Sequence, residues 1–195
     1  KMENKFFTFI KPYLSFIDQG HFFRRPFSWL YGLLAIFNLI FPLYILFSKT
    51  IVFRASFEVV LAFLLVWVVL AFAGWIGFQI WWDRMMKLAV DSSTGDEFVA
   101  TPIFSHFIQT LGEWFGTLFA IVGFAGLLIS MILLGNDAYW FLKLIGLRFP
   151  VLGWTGIFLL PIIGYLIVIL TRFLAEQFRA LAAIANNTRK MKTEL

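Results

Sequence analysis

Three observations predict an all-α integral membrane protein with four transmembrane helices arranged as two hairpins. The chain is 61% hydrophobic and only 14% charged, with a mean hydropathy of +0.87, which leaves too little polar surface to face water all round. Four apolar runs each reach the roughly 20 helical residues that about 30 Å of hydrocarbon requires. Outside those runs, twelve Lys and Arg fall on one side and four on the other, the bias that orients a multi-pass chain with its cations in the cytoplasm.

The N-terminal segment, residues 1–25, is interrupted by Lys11, Pro12, Asp18 and Gln19. It therefore lacks the apolar core and cleavage site of a signal peptide, and is expected to be retained along the membrane surface. The transmembrane domain, 26–171, contains spans at about 26–48, 58–82, 112–134 and 150–171. A short outer connection at 49–57 joins the first two. Another at 135–149 carries Tyr139, Trp140, Phe141, Leu144 and Ile145 among two cations and reads as an interfacial helix. The one polar connection is 83–111, whose centre "DSSTGDE" at 91–97 is rich in turn formers. With four spans both termini share a side. The twelve cations place them, and the 83–111 loop, in the cytoplasm. The formal charge of +5 thus reflects topology rather than a nucleic-acid partner.

The fourth span does not stop at the membrane. In 172–195, Arg172, Glu176, Arg179, Asn187 and Lys190 fall on one helical arc and Leu174, Phe178, Leu181 and Ala185 on the opposite one. An amphipathic cytoplasmic helix with a basic end is expected, supported by Arg172–Glu176 and Glu176–Arg179 pairs. Its apolar stripe either rests on lipid headgroups, with Arg189, Lys190 and Lys192 drawn to anionic lipid, or packs on a partner through Leu174, Phe178, Leu181 and Ala185.

The pattern Arg172-x-x-x-Glu176 followed by Ile184-x-x-Asn187-Thr188 resembles the end of the small bacterial membrane proteins grouped as domain of unknown function 4282. There a second span runs into R-x-x-x-E and an R-I-N-E-N-T-like ending. Ala183, Ala185 and Asn186 replace the Arg, Asn and Glu of that ending, and "FFTFI" at 6–10 is similar to the family's Phe-rich opening. Such families usually have two spans. The resemblance covers about a fifth of the chain and implies a bacterial inner-membrane protein without an assigned activity.

Chemistry inside the spans is sparse. Glu58, Asp83, Glu113 and Arg172 stand at span ends, and no span carries the central ionisable residue of a proton-coupled pump. Asn38 lies near the middle of span one, four residues before Pro42, whose ring disrupts the bond to the carbonyl of residue 38. It either lines a permeation path or bonds a neighbouring helix. Pro161 marks a bend in span four. Gly112, Gly116 and Ala120 are spaced by four, and Gly116, Gly123 and Ser130 by seven, so one face of span three admits a close neighbour. Gly153, Gly156 and Gly164 give span four a weaker series. "WLYGLLAI" at 29–36 and "WFGTLFAI" at 114–121 form a modest internal repeat.

His106 and Glu113, seven apart, are with Asp83 the only catalytic candidates. No nucleophile-elbow, zinc-helix or phosphate-loop motif accompanies them. His21 and His106 read as interfacial residues, and the absence of cysteine excludes thiolate chemistry. No catalytic, cofactor or metal site is expected. The expected partners are membrane lipids and another membrane protein or a second copy. The expected function is that of a non-catalytic scaffold or accessory subunit in the bacterial inner membrane, with a small oligomeric pore as the alternative.

Overall fold

Helix α1 (His21–Ser48) carries Pro26 near its start and Pro42 in its interior. A 3-10 turn at Thr50–Arg54, anchored by buried Val52, leads to α2 (Phe57–Val90). Helix α3 (Ala100–Leu118) passes through one π-helical stretch, Phe119–Gly123, into α4 (Phe124–Leu134). The short α5 (Ala138–Leu144) follows, and α6 (Gly153–Thr193) is 41 residues long. The computed structural model describes Lys11 and residues 21–90, 100–151 and 153–193, among which there is no strand. Four helices are long and apolar enough to cross a membrane.

The expectations for residues 1–20 and for the acidic 91–97 stretch lie, Lys11 apart, outside the described residues. Residues 21–25, expected in the N-terminal segment, belong to α1. Two of the four helices run well past the expected span ends. Helix α2 continues to Val90 and α3 begins at Ala100, so most of the anticipated 83–111 loop is helix. Its residues alternate apolar and polar at helical spacing; of the apolar ones Leu88 and Ile103 are buried, while Met86 and Phe104 are exposed.

Packing runs antiparallel within two pairs of helices. Along α1 and α2, Gly32 faces Met85, and Gly74 and Gly77 face Asn38. Along α3–α4 and α6, Gly112 faces Thr171, Gly116 faces Gly164, Gly123 faces Leu160, and Gly156 faces Leu127. The neighbour admitted by the small-residue series of span three is thus α6 of the same chain. At Gly116, an added Cβ would stand 2.4 Å from the Gly164 carbonyl oxygen; only a missing side chain allows the two backbones this distance. Ser130 instead donates to the Gly126 carbonyl of its own helix at 2.6 Å.

Two cores fill the bundle. One, towards the 3-10 turn and α5, is built on Phe63, Val66, Leu127, Phe141, Ile145 and Leu160. The other surrounds Tyr31, Trp81, Leu88 and Ile103 at the opposite end. The 135–149 connection, expected as an interfacial helix, presents two distinct sides. Phe141, Leu142 and Ile145 are buried in the first core, while Tyr139 and Trp140 are exposed. A Schellman closure holds α5 in this pose: Leu147 N–H donates to Leu142 O at 2.8 Å and Gly146 N–H to Lys143 O at 3.1 Å. Gly146, at φ +91°, supplies the left-handed residue that this motif requires.

Candidate functional site

Helix α3 places polar side chains at 106, 109, 110, 113, 114 and 117, the i, i+3, i+4, i+7, i+8, i+11 positions of one face. That face turns inward, and its side chains reach partners on the other three long helices. Towards α1, Tyr31 Oη and His106 Nδ1 lie 3.0 Å apart, with the two rings stacked at 5.8 Å. Thr110 and Thr117 return their hydroxyls to His106 O and Glu113 O of α3 itself, so neither is left unbonded.

Glu113 is the centre of the seam. Its carboxylate takes a forked approach from Arg84 of α2, with Nε at 3.1 Å and Nη2 at 2.8 Å from Oε2. Oε1 accepts from Arg84 Nη2 at 3.1 Å and from Gln109 Nε2 at 2.9 Å. Gln109 Oε1 in turn accepts from Arg179 Nη2 of α6, whose Nε donates to the Ala175 carbonyl at 3.3 Å. Arg172 Nε stands 3.7 Å from Glu113 Oε1. A charge-assisted forked pair is among the stronger polar contacts available to a protein, and here one carboxylate joins α2, α3 and α6.

The Arg172–Glu176 and Glu176–Arg179 pairs expected along the tail are replaced by these contacts. Both arginines turn towards α3, and Glu176 is exposed. The tail's buried side is formed by Ala175 and Ala182, small residues that bring α6 against α3. Of the stripe assigned to a partner, Leu174 and Leu181 are exposed, Phe178 meets Phe104 of α3 at 6.4 Å, and Ala185 is half-buried.

Deeper in the bundle, Asn38 is 4% exposed. Its amide nitrogen donates to Leu34 O at 2.7 Å within α1, and its oxygen accepts from Trp114 Nε1 of α3 at 2.7 Å. Gly77 leaves the space: a Cβ there would lie 2.3 Å from Asn38 Oδ1. The carbonyl of Pro42 accepts from Trp67 Nε1 of α2 at 2.9 Å. Trp81 sits among Tyr31, Phe107 and Trp114 at 5.1–6.0 Å. Among the described residues, its indole N–H and the hydroxyl of Ser105 are buried without a hydrogen-bond partner.

No family model, curated protein or solved structure matches this chain. The site therefore speaks through its own chemistry. His106 and Glu113 share a face, as their spacing suggests, but each is held by a different helix rather than by the other. Asp83 pairs with Lys87 at 2.7 Å on the exposed side of α2. Among the described residues no three His, Cys, Asp or Glu converge as metal ligands would. The arrangement clamps helices together. Sequence reading missed Arg84, Gln109 and Arg179 as members of this seam, although the six polar positions of 106–117 were a visible signal.

Proposed function

We propose that this chain is a four-span protein of the bacterial inner membrane, built as two hairpins with both ends in the cytoplasm, and acts as a non-catalytic scaffold or accessory subunit. One observation carries the reading. From Arg172 to Thr193, α6 continues for roughly 33 Å at 1.5 Å per residue, and Leu174, Leu181, Ile184 and Met191 along it are exposed. In a four-span topology these side chains project beyond the hydrocarbon, where an uncovered apolar stripe favours a partner helix.

The antiparallel helix pairs and the twelve-to-four division of cations support the topology, and the resemblance at 172–188 supports the bacterial setting. A pore formed by several copies requires polar side chains facing a shared opening. Asn38, Trp114, Ser130 and Thr171 instead bond within the chain, which favours the scaffold. A photo-crosslinking residue at position 181 tests this in intact cells: a discrete protein adduct supports docking, whereas adducts to lipid alone would overturn it.

A further inference from the structure

We infer that Arg172, with Arg179 beside it on α6, binds the phosphate of an anionic phospholipid at the cytoplasmic end of the bundle. The inference rests on the four-span reading above for its depth in the membrane. It begins with a count of hydrogen bonds at Glu113. A carboxylate offers about four lone-pair positions. Arg84, through Nε and Nη2, and Gln109, through Nε2, already occupy both oxygens of Glu113. Arg172 is held only by the 3.7 Å ion-pair contact of its Nε with Glu113, and its side chain is 57% exposed, so most of its donors face outward.

Among the described residues no carboxylate serves Arg172 alone: Glu113 is shared with Arg84. Asp83 is held by Lys87. Glu176, one turn along α6, makes no ion pair among the described residues and faces outward. Even counting Glu176 with Glu113, the three guanidiniums of Arg84, Arg172 and Arg179 exceed the carboxylates by one. Arg179 already gives Nη2 to Gln109 and Nε to Ala175 O, which fixes its guanidinium and leaves Nη1 to donate. Flanking Arg172 on the same helix, Ile169, Leu170 and Phe173 are exposed apolar residues. A surplus guanidinium beside a lipid-facing surface suits a ligand with a phosphate and acyl chains; basic sites at the cytoplasmic ends of spans take up such headgroups.

The test uses the full chain in mild non-ionic detergent, with lipid retention read by native mass spectrometry, so that orientation in a membrane plays no part. Short-chain phosphatidylglycerol should be retained in preference to phosphatidylcholine of equal chain length. Arg172→Gln should weaken that retention about fivefold, the effect of removing one cation from an anionic lipid contact, without altering the Arg84–Glu113 pair. Arg148→Gln, at the other end of the bundle, should change nothing. Equal retention of the two lipids, or unchanged retention by Arg172→Gln, overturns the inference. Displacement of phosphatidylglycerol by millimolar inorganic phosphate overturns the lipid assignment, because it would show that the acyl chains contribute nothing.

Discussion

Arg84 on α2 and Glu113 on α3 meet through a forked ion pair, its shortest contact 2.8 Å, with the two side chains only 21% and 14% exposed. This pair couples α2 to α3, and through Gln109 and Arg179 it reaches α6. Both side chains are largely shielded from solvent, and partial dehydration strengthens each charge-assisted bond.

Glu113→Gln should therefore lower stability by about 2–3 kcal/mol, the range for losing hydrogen bonds to a charged group when a guanidinium is left without its counter-charge. Arg84→Gln should cost a similar amount. Their combination should cost clearly less than the sum, because the two side chains act through one contact. A double-mutant cycle by unfolding in mixed micelles measures this. Strict additivity would mean that the forked pair contributes nothing as a pair.

Two glycines make a sharper steric prediction. Gly77→Ala would put a methyl group 2.3 Å from Asn38 Oδ1, and Gly116→Ala one 2.4 Å from Gly164 O. At Gly116 the helices must separate, and at Gly77 the Asn38 amide must leave Trp114, at a cost of about 1–3 kcal/mol each by analogy with overpacked cores. Gly126→Ala meets nothing within 4 Å and should leave the thermal midpoint unchanged or slightly raised. The three variants, purified side by side, separate close helix approach from the general effect of replacing glycine.

These contrasts also mark what was legible in the amino-acid order. Span number and the seven-residue spacing of Gly116 and Gly123 were visible, because apolar run length and small-residue periodicity are local properties. The partners were not. Nothing local distinguishes an Arg172 that pairs with Glu176, one turn along its own helix, from one that turns across to Glu113; only the approach of α6 to α3 selects between them. The buried side of α5 was hidden for a related reason. Tyr139 and Trp140 suit an interface, but burial of Phe141 and Ile145 depends on the Gly146 turn that folds the segment back. The six polar positions of 106–117 carried information that was left unused, since their spacing alone identifies a face that must find partners.

Asn38→Leu removes the bond to Trp114 while keeping the branching of the side chain at Cγ. The expected cost is about 0.6–1.7 kcal/mol, the span for interhelical hydrogen bonds in membranes, and the conductance of reconstituted bilayers should not change. A selective alteration of ion flux with assembly intact would instead favour the pore.

Topology is open to direct labelling because the chain has no cysteine of its own. Asn136, in the exposed turn before α5, and Asn187, exposed on the α6 extension, should lie on opposite sides of the membrane. With cysteine at Asn136, an impermeant thiol reagent should label intact cells. With cysteine at Asn187, it should label only after the membrane is opened. Labelling of Asn187→Cys in intact cells would remove the cytoplasmic assignment of the tail.

The tail stripe supplies the decisive functional prediction. Phe178 contributes to packing against Phe104 of the same chain, so changing it would disturb α3 as well as any partner. Leu174 and Leu181 are free of that complication: both are exposed, while the side of α6 that meets α3 is made by Ala175 and Ala182. Leu174→Glu with Leu181→Glu therefore places two charges on the outward stripe and leaves the Glu113 seam intact. If a partner helix lies in that stripe, burying two carboxylates against it is strongly unfavourable. The partner, or a second copy of the chain, should then dissociate during purification in mild detergent, with membrane insertion and thermal midpoint unchanged. If the stripe rests only on lipid, the double variant should keep every protein contact it had, and the scaffold reading would fall with it.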